Sequence, residues 1–78
     1  MKKNNIAIEI GLLIRQIRIE KGLSQEDLAF DCELHRTYIG SLERGEKVPT
    51  ILTLEKIAKA LNISLSDLFK KYEKIQSK

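Results

Sequence analysis

Apolar residues recur every three or four positions along most of the chain, which is the period of an amphipathic helix. The first such run extends from Ile6 to Lys21, and Gly22 after it is a natural point for a helix to end. Asn4 or Asn5 can cap this helix at its start. Five apolar side chains on one face of the run are expected to enter the core: Ile6, Ile10, Leu13, Ile14 and Ile17.

The same helix carries a second apolar stripe on its opposite side, formed by Ile8, Leu12 and Ile19. A helix that faces water has no need of such a stripe, so either later helices fold over it or it forms a surface for a partner. Gly11 lies inside the helix and lowers its intrinsic stability by roughly 1 kcal/mol relative to alanine. We therefore expect another backbone to approach Gly11 closely.

Between residues 24 and 44 the pattern predicts two short helices joined by a tight turn, which we interpret as a DNA-reading helix-turn-helix. Ser24 can cap the first of these helices through its hydroxyl, and that helix should end near Cys32. The second should begin about Leu34 or His35. Its apolar face has Ile39 and Leu42, and its opposite face has the polar and small residues Thr37, Gly40, Ser41 and Arg44.

Pro49 places a loop after this motif, because proline cannot continue a helix. A fourth helix follows, capped by Thr50 or Thr53, and a fifth begins at Ser64 or Ser66. The apolar residues of these two helices are Leu54, Ile57, Ala58, Leu61, Leu68, Phe69 and Tyr72.

Length and composition restrict the number of domains and the class of protein. A chain of 78 residues forms one domain at most, and its core is marginal unless a partner shares it, so we expect a dimer. The net charge of +3 permits nucleic-acid binding without arguing for it. One cysteine excludes an internal disulfide and fits a reducing cytoplasm, and no apolar run reaches the about 18 residues of a membrane span.

The candidate chemistry is sparse. One cysteine and one histidine are too few soft ligands for a structural zinc site, so no metal or cofactor is expected. Cys32 should be a small buried hydrophobe rather than a redox sensor, because no basic cluster stands near it to lower its pKa. Cys32 and His35 lack a third orienting group and a glycine-rich oxyanion site. An enzyme therefore has almost no support.

Four motifs resemble the phage repressor/Cro type of helix-turn-helix domain over roughly residues 10 to 70. They are Ile14-Arg15-x-x-Arg18, Gln25-x-x-Leu28-Ala29, Ile39-x-x-Leu42-Glu43-x-Gly45 and Leu54-x-x-Ile57-Ala58-x-x-Leu61. Within that family, the stretch Arg36-Thr37-Tyr38-Ile39 and the small size of the chain resemble the controller proteins of restriction–modification operons. The resemblance implies an all-α, compact five-helix repressor-like domain over residues 1–78.

The resemblance also implies particular pairs and surfaces. Arg18 should pair with Glu43 across the first and third helices. Many relatives have glycine where this chain has Glu33, so either the turn differs in shape or Glu33 tolerates the strain. A two-fold dimer interface is expected within residues 51–72, with ordinary core packing as the alternative for its residues Ile51, Leu52, Ile63 and Leu65.

DNA chemistry assigns roles on the reading helix. Base reading is expected from Arg36, whose guanidinium can grip O6 and N7 of one guanine, from Thr37 and from Ser41. Tyr38 could serve a structural role at the rim instead. Contacts to the phosphate backbone or at the rim are expected from Gln25, His35, Tyr38, Arg44, Lys47 and Thr50.

The function that these expectations imply is a regulator that binds a palindromic operator as a homodimer and controls a restriction–modification operon including its own gene. An acidic patch of Glu26, Asp27 or Asp31 could face RNA polymerase, although helix capping explains these acids equally well. A phage-type repressor or an antitoxin is an alternative. A protein-interaction module that uses Ile8, Leu12 and Ile19 is another.

Overall fold

Five α-helices make up the regular secondary structure of residues 6–77, which are the residues that the computed structural model describes, and no strand occurs among them. The helices are α1 (Ile6–Glu20), α2 (Gln25–Cys32), α3 (Arg36–Glu43), α4 (Ile51–Ala60) and α5 (Leu65–Gln76). The prediction of an all-α, five-helix fold is confirmed. The cap expected at Asn4 or Asn5 lies outside the described residues. None of the five described helices has the length and apolar character needed to cross a bilayer.

Short polar side chains start α2, α4 and α5. The Ser24 hydroxyl accepts a hydrogen bond from the Asp27 amide at 2.9 Å, and the Asp27 carboxylate accepts one from the Ser24 amide at 2.9 Å. These reciprocal bonds form a capping box. Thr50 and Ser64, the first residue of each predicted pair, cap α4 and α5 in the same way through the amide three residues on. Each cap satisfies a backbone donor that the helix start leaves without an intrahelical partner.

The first four helices end at residues in the left-handed backbone conformation. These residues are Gly22 (φ 73°), Glu33 (φ 59°), Gly45 (φ 78°) and Asn62 (φ 61°). The amide of the following residue then reaches back to a carbonyl five residues earlier, as Leu34 does to Ala29 at 2.8 Å. Glu33 therefore adopts the conformation that favours glycine. It tolerates a strain of about 1–2 kcal/mol, and the turn keeps its shape.

The core draws on all five helices. Its fully buried side chains of greatest volume are Ile14, Leu28, Ile39, Leu42, Ile57, Leu61 and Leu68. Four of the five α1 residues predicted to enter the core are buried. Ile6 is 49% exposed, and its prediction is wrong, because the first residue of α1 lies at the end of the packed face.

The backbones of α1 and α3 meet at Gly11. A Cβ atom at this position would lie 2.2 Å from the carbonyl oxygen of Leu42, far closer than van der Waals contact allows. The expected close approach to Gly11 is confirmed. Because the contact is between backbones, no side-chain rotamer can relieve it, and the approach of α3 to α1 depends on the glycine.

Two apolar surfaces remain open in residues 6–77. All three residues of the second stripe are exposed, Leu12 by 54%, Ile19 by 50% and Ile8 by 38%, so later helices do not fold over the stripe, although Ile8 also lies close to Gly45. The four residues of the predicted dimer interface divide into two groups. Ile51 and Leu52 are exposed, and Ile63 and Leu65 are half-buried and pack against the core.

Candidate nucleic-acid interface

A buried charged network fixes α3 against α1 and α2. Arg18 of α1 donates from Nε to Glu43 Oε2 at 2.7 Å and from Nη2 to Glu43 Oε1 at 3.0 Å. Gln25, at the start of α2, donates to the same Glu43 Oε1 at 2.9 Å. The expected Arg18–Glu43 pair is present, with side-chain exposures of 10% and 2%. Since three helices contribute to this network, it sets the orientation of α3.

The first turn of α3 carries two exposed candidates for base reading, Arg36 and Thr37. His35 caps this turn, because its Nδ1 accepts a hydrogen bond from the Thr37 amide at 3.1 Å. In this role Nε2 is the ring nitrogen left to donate, for example to a phosphate. In helix-turn-helix proteins the first residues of the second helix are those that reach base edges in the major groove. Arg36 and Thr37 occupy those positions.

Ser41 does not lie on the exposed face, and the expectation that it faces outward is wrong. Its exposure is 9%, and every residue from 39 to 43 is buried. The second half of α3 packs against both α1 and α2, so a larger part of its circumference is covered than a single helical face. Arg44 covers Ser41 further, with Nη2 3.4 Å from its hydroxyl oxygen.

The exposed side of α3 and the first turn of α2 enclose a shallow polar depression. Four of the predicted DNA contacts line it together: Gln25, Arg36, Thr37 and Arg44. Arg44 donates from Nε and Nη2 to the carboxylate of Glu46, at 3.0 and 3.1 Å. Hydrogen bonding by Arg44 lowers the pKa of Glu46, and the same bonds raise the pKa of Arg44. The depression therefore offers guanidinium groups, an amide and hydroxyls to a ligand, beside the single carboxylate of Glu26, and its cationic groups suit a polyanion.

The other predicted rim residues lie outside this depression. Lys47 is exposed in the loop after α3. Thr50 caps α4, and its hydroxyl also donates to the Thr53 hydroxyl at 3.0 Å. Tyr38 is half-buried and packs against the core, which favours the structural role for this residue.

The acids of the predicted activation patch all lie exposed on α2. Asp27 is bound to the Ser24 cap, and the hydrogen bond from the Ser24 amide is the main cause that lowers its pKa. Capping therefore accounts for Asp27. Glu26 and Asp31 have no such bond among the described residues.

Cys32 is 4% exposed, and desolvation raises the pKa of its thiol. The thiol therefore stays protonated, as a buried hydrophobe should. Within residues 6–77 no group of three or more histidine, cysteine, aspartate or glutamate side chains is placed to hold a metal ion.

Sequence reasoning placed Gly40 on the outward face of the helix and missed Glu46 as the partner of Arg44. Gly40 is buried beneath the guanidinium of Arg44, and Glu46 pairs with that guanidinium. A signal was present in the sequence, since Arg44 and Glu46 carry opposite charges on either side of the helix-ending Gly45.

The helix pair and its exposed first turn define a protein of the helix-turn-helix class. The model of the helix-turn-helix family matches residues 14–68, and the chain belongs to that family. It is 50% identical over 66 residues to control protein C.BamHI of Bacillus amyloliquefaciens, a match that covers 83% of this chain and 82% of that protein. It is 43% identical over 72 residues to control protein C.MunI of a Mycoplasma species, covering 91% and 97%.

Solved structures agree. The crystal structure of the restriction–modification controller protein C.Esp1396I, as a tetramer in complex with its natural 35-base-pair operator, matches with a TM-score of 0.86 and 39% identity. The match covers 92% of this chain and 95% of that chain. The resemblance to restriction–modification controller proteins is confirmed.

Proposed function

We propose that this protein is a cytoplasmic transcriptional regulator that binds operator DNA sequence-specifically as a homodimer and controls a restriction–modification operon including its own gene. The observation that carries the proposal is the similarity to C.Esp1396I, a controller whose structure contains operator DNA, across 92% of this chain. The exposure of Arg36 and Thr37 on the first turn of α3 supports it. Residues 1–78 act as one domain, with the reading motif at residues 24–44.

Specificity and affinity come from different residues in this proposal. Arg36 reads a guanine through two hydrogen bonds, which is worth about 1–3 kcal/mol of discrimination, and Thr37 contacts a neighbouring base. Lys47 neutralises a phosphate and adds affinity for any duplex. Gln25 and His35 are proposed as contacts to the DNA backbone. Gln25 already donates from Nε2 to Glu43, and His35 Nδ1 already accepts a hydrogen bond from the Thr37 amide.

The test is footprinting on the DNA upstream of the protein's own gene, followed by titration of the protected duplex and an unrelated duplex of equal length. We expect Arg36→Ala to reduce the preference for the protected site. We expect Lys47→Ala to weaken binding to both duplexes and to flatten the salt slope by about one unit. Lys70→Ala is the matched control, because Lys70 is exposed on α5, whose main contacts are with α1 and α4.

Two outcomes would contradict the proposal. Equal loss of specific and unspecific binding in Arg36→Ala would remove Arg36 as a base reader. If the wild-type protein shows no preference for its upstream DNA, the proposed function as a regulator is wrong. That result would favour a protein-interaction module built on the exposed Leu12 and Ile19. A phage-type repressor or an antitoxin would also bind DNA, and the genes beside this one distinguish those systems from a restriction–modification operon.

The homodimer is proposed to form through the exposed Ile51 and Leu52, with Ile63 and Leu65 at the edge of the contact. A two-fold dimer would place two copies of α3 about 34–36 Å apart, one turn of duplex, and would therefore bind a palindromic site. Leu52→Glu should give a monomer in sedimentation, because it places a charge in the contact. Leu65→Glu is a poorer test, since Leu65 also packs against the core. An unchanged dimer mass in Leu52→Glu would move the interface elsewhere.

Activation of transcription, as distinct from DNA binding, is proposed to use Glu26 and Asp31 on the exposed side of α2 against RNA polymerase. Asp27 is left out because its carboxylate caps α2. Because Glu26 also lines the polar depression, the test uses Asp31→Asn alone, which should bind operator DNA as the wild type does and reduce activation in transcription with purified polymerase. Unchanged activation would remove the patch.

A further inference from the structure

The side chain of Arg44 is held in place before any DNA is bound. Its Nε and Nη2 atoms donate to the two carboxylate oxygens of Glu46, at 3.0 and 3.1 Å. Nη2 also lies 3.4 Å from the hydroxyl oxygen of Ser41, a long hydrogen bond. A long cationic side chain that follows the last turn of a helix would otherwise sample many rotamers in water. Here two partners restrict it.

Gly40 provides the space that this guanidinium occupies. A Cβ atom at Gly40 would lie 3.2 Å from Arg44 Nη1 and 3.5 Å from Gln25 Oε1. The guanidinium therefore lies across α3 toward the first turn of α2, and not along the rim. It lines the same depression as Arg36 and Thr37.

The bonds leave one end of the guanidinium available. A guanidinium has five N–H donors, one on Nε and two on each terminal nitrogen. Glu46 and Ser41 engage Nε and Nη2, and Nη1 makes no hydrogen bond to another group in the part of the chain that the structure describes. Both N–H groups of Nη1 are thus available to donate at the polar depression, where the acceptor atoms of a bound duplex would lie.

We propose that Glu46 and Ser41 are positioning residues that hold Arg44 over Gly40, so that Nη1 donates to an acceptor of the bound duplex at the centre of the reading surface. The inference rests on the proposed DNA-binding function. The acceptor is a phosphate oxygen or a base-edge atom, and the two sources are distinguished below. An arginine restrained in advance loses less rotational freedom on binding, which raises affinity without adding a contact.

The direction in which Glu46→Ala changes the affinity for DNA tests the proposal. Glu46 carries a negative charge, and an acid beside a polyanion weakens binding, so its removal should strengthen binding to every duplex if it has no other role. If it positions Arg44, Glu46→Ala should instead weaken binding to the footprinted upstream duplex by about two- to tenfold, the range expected when one side chain must be ordered on binding. Glu46→Asp should recover part of the loss.

The dependence on Arg44 separates positioning from any effect of Glu46 on the fold. In an Arg44→Ala background, Glu46→Ala should no longer weaken binding. Gly40→Ala should behave in the same way, because its methyl group displaces the guanidinium. It should weaken binding to the duplex when Arg44 is present and leave binding unchanged in the Arg44→Ala background. Thermal unfolding of each variant checks that it is folded. Stronger binding by Glu46→Ala in the wild-type background, or losses that persist without Arg44, would overturn the inference.

Two further measurements assign the acceptor. Arg44→Ala flattens the salt slope by about one unit and affects all duplexes alike if Nη1 meets a phosphate, and it lowers the preference among single-base variants of the site if Nη1 meets a base. An Arg44→Ala variant that changes neither overturns the contact. Failure of the wild type to bind its upstream DNA concerns the proposed function, and failure of the Glu46 and Gly40 variants to weaken a wild type that does bind concerns only this inference.

Discussion

Two arginine–glutamate pairs lie at the end of α3, one on its buried side and one on its exposed side. Their local geometry is similar, since in each pair the Nε and Nη2 atoms of an arginine donate to the two oxygens of a glutamate. The Arg18–Glu43 pair is nearly removed from water, whereas the side chains of Arg44 and Glu46 are 60% and 56% exposed. Glu43, the last residue of α3, and Arg44, which follows it, thus form the same type of bidentate ion pair in two environments, one buried and one exposed.

The difference shows what solvent does to a charged pair. On the buried side neither charge has water as an alternative partner. The pair therefore joins α1 to α3, Gln25 adds α2 to it, and the loss of one partner leaves the other charge buried and unpaired. On the exposed side water and salt compete with the pair, so it contributes little to folding. The buried pair serves the scaffold, and the exposed pair is free to serve recognition.

The largest expected effect is from Glu43→Gln. Removing one partner leaves the buried guanidinium of Arg18 without its counter-charge, and we expect the free energy of unfolding to fall by about 3–5 kcal/mol in urea denaturation. Glu46→Gln is the matched control and should unfold at the wild-type urea concentration. Equal losses in the two variants would remove the distinction between the pairs.

The next largest effect compares two glycines that lie inside helices, Gly11 in α1 and Gly40 in α3. Gly11→Ala drives a Cβ atom into the Leu42 carbonyl and should cost about 1–3 kcal/mol of stability, as overpacking does. Gly40→Ala meets side-chain ends and not backbone, Arg44 Nη1 at 3.2 Å and Gln25 Oε1 at 3.5 Å, and should stabilise α3 by up to about 1 kcal/mol through helix propensity. Thermal and urea unfolding measure both. A destabilised Gly40→Ala would show that the exposed side of α3 is packed as tightly as the buried side.

The smallest effect is the acid titration of the exposed pair. The hydrogen bond from Arg44 lowers the pKa of Glu46, so the pair is fully formed above the ordinary glutamate pKa and is lost as the pH falls through the lowered value. Carboxyl titration by carbon-13 NMR should give a midpoint below that of an ordinary glutamate, and Arg44→Ala should return it to the ordinary range. The lowered pKa of Asp27 comes from Ser24 and should not change. A Glu46 midpoint indifferent to Arg44→Ala would contradict the pairing in solution.

Local features of the fold could be predicted from the sequence because they depend on nearby residues. The starts of three helices are predicted by short polar side chains that accept a hydrogen bond from the amide three residues later. These residues are Ser24, which also pairs with Asp27, Thr50 and Ser64. Gly11 was predictable too, since a glycine within an otherwise good helix implies a close neighbour. The Arg18–Glu43 pair joins residues distant in sequence, and only the family resemblance suggested it.

The burial of Ser41 and the pairing of Arg44 with Glu46 both depend on how several elements meet. A helical wheel divides one helix into an inner and an outer face, but the last turns of α3 contact two helices, and the wheel places Ser41 outside although it is covered. The pairing of Arg44 with Glu46 was missed because it depends on the backbone turn at Gly45, which no periodicity describes. A contact that depends on how several helices pack together cannot be inferred from the hydrophobic pattern of a single helix.

The left-handed residues that end four helices also bear on the speed of folding. Each lets the chain leave a helix and enter the next after a short connection, so α2 packs on α3 and α4 on α5 as neighbours in sequence, while α1 also packs on α3 and α5, and α2 on α4. The entropy lost in closing these longer separations grows only slowly with their length, and small helical domains fold on the order of microseconds to milliseconds. A newly made chain should reach its native state almost as soon as its last helix is available.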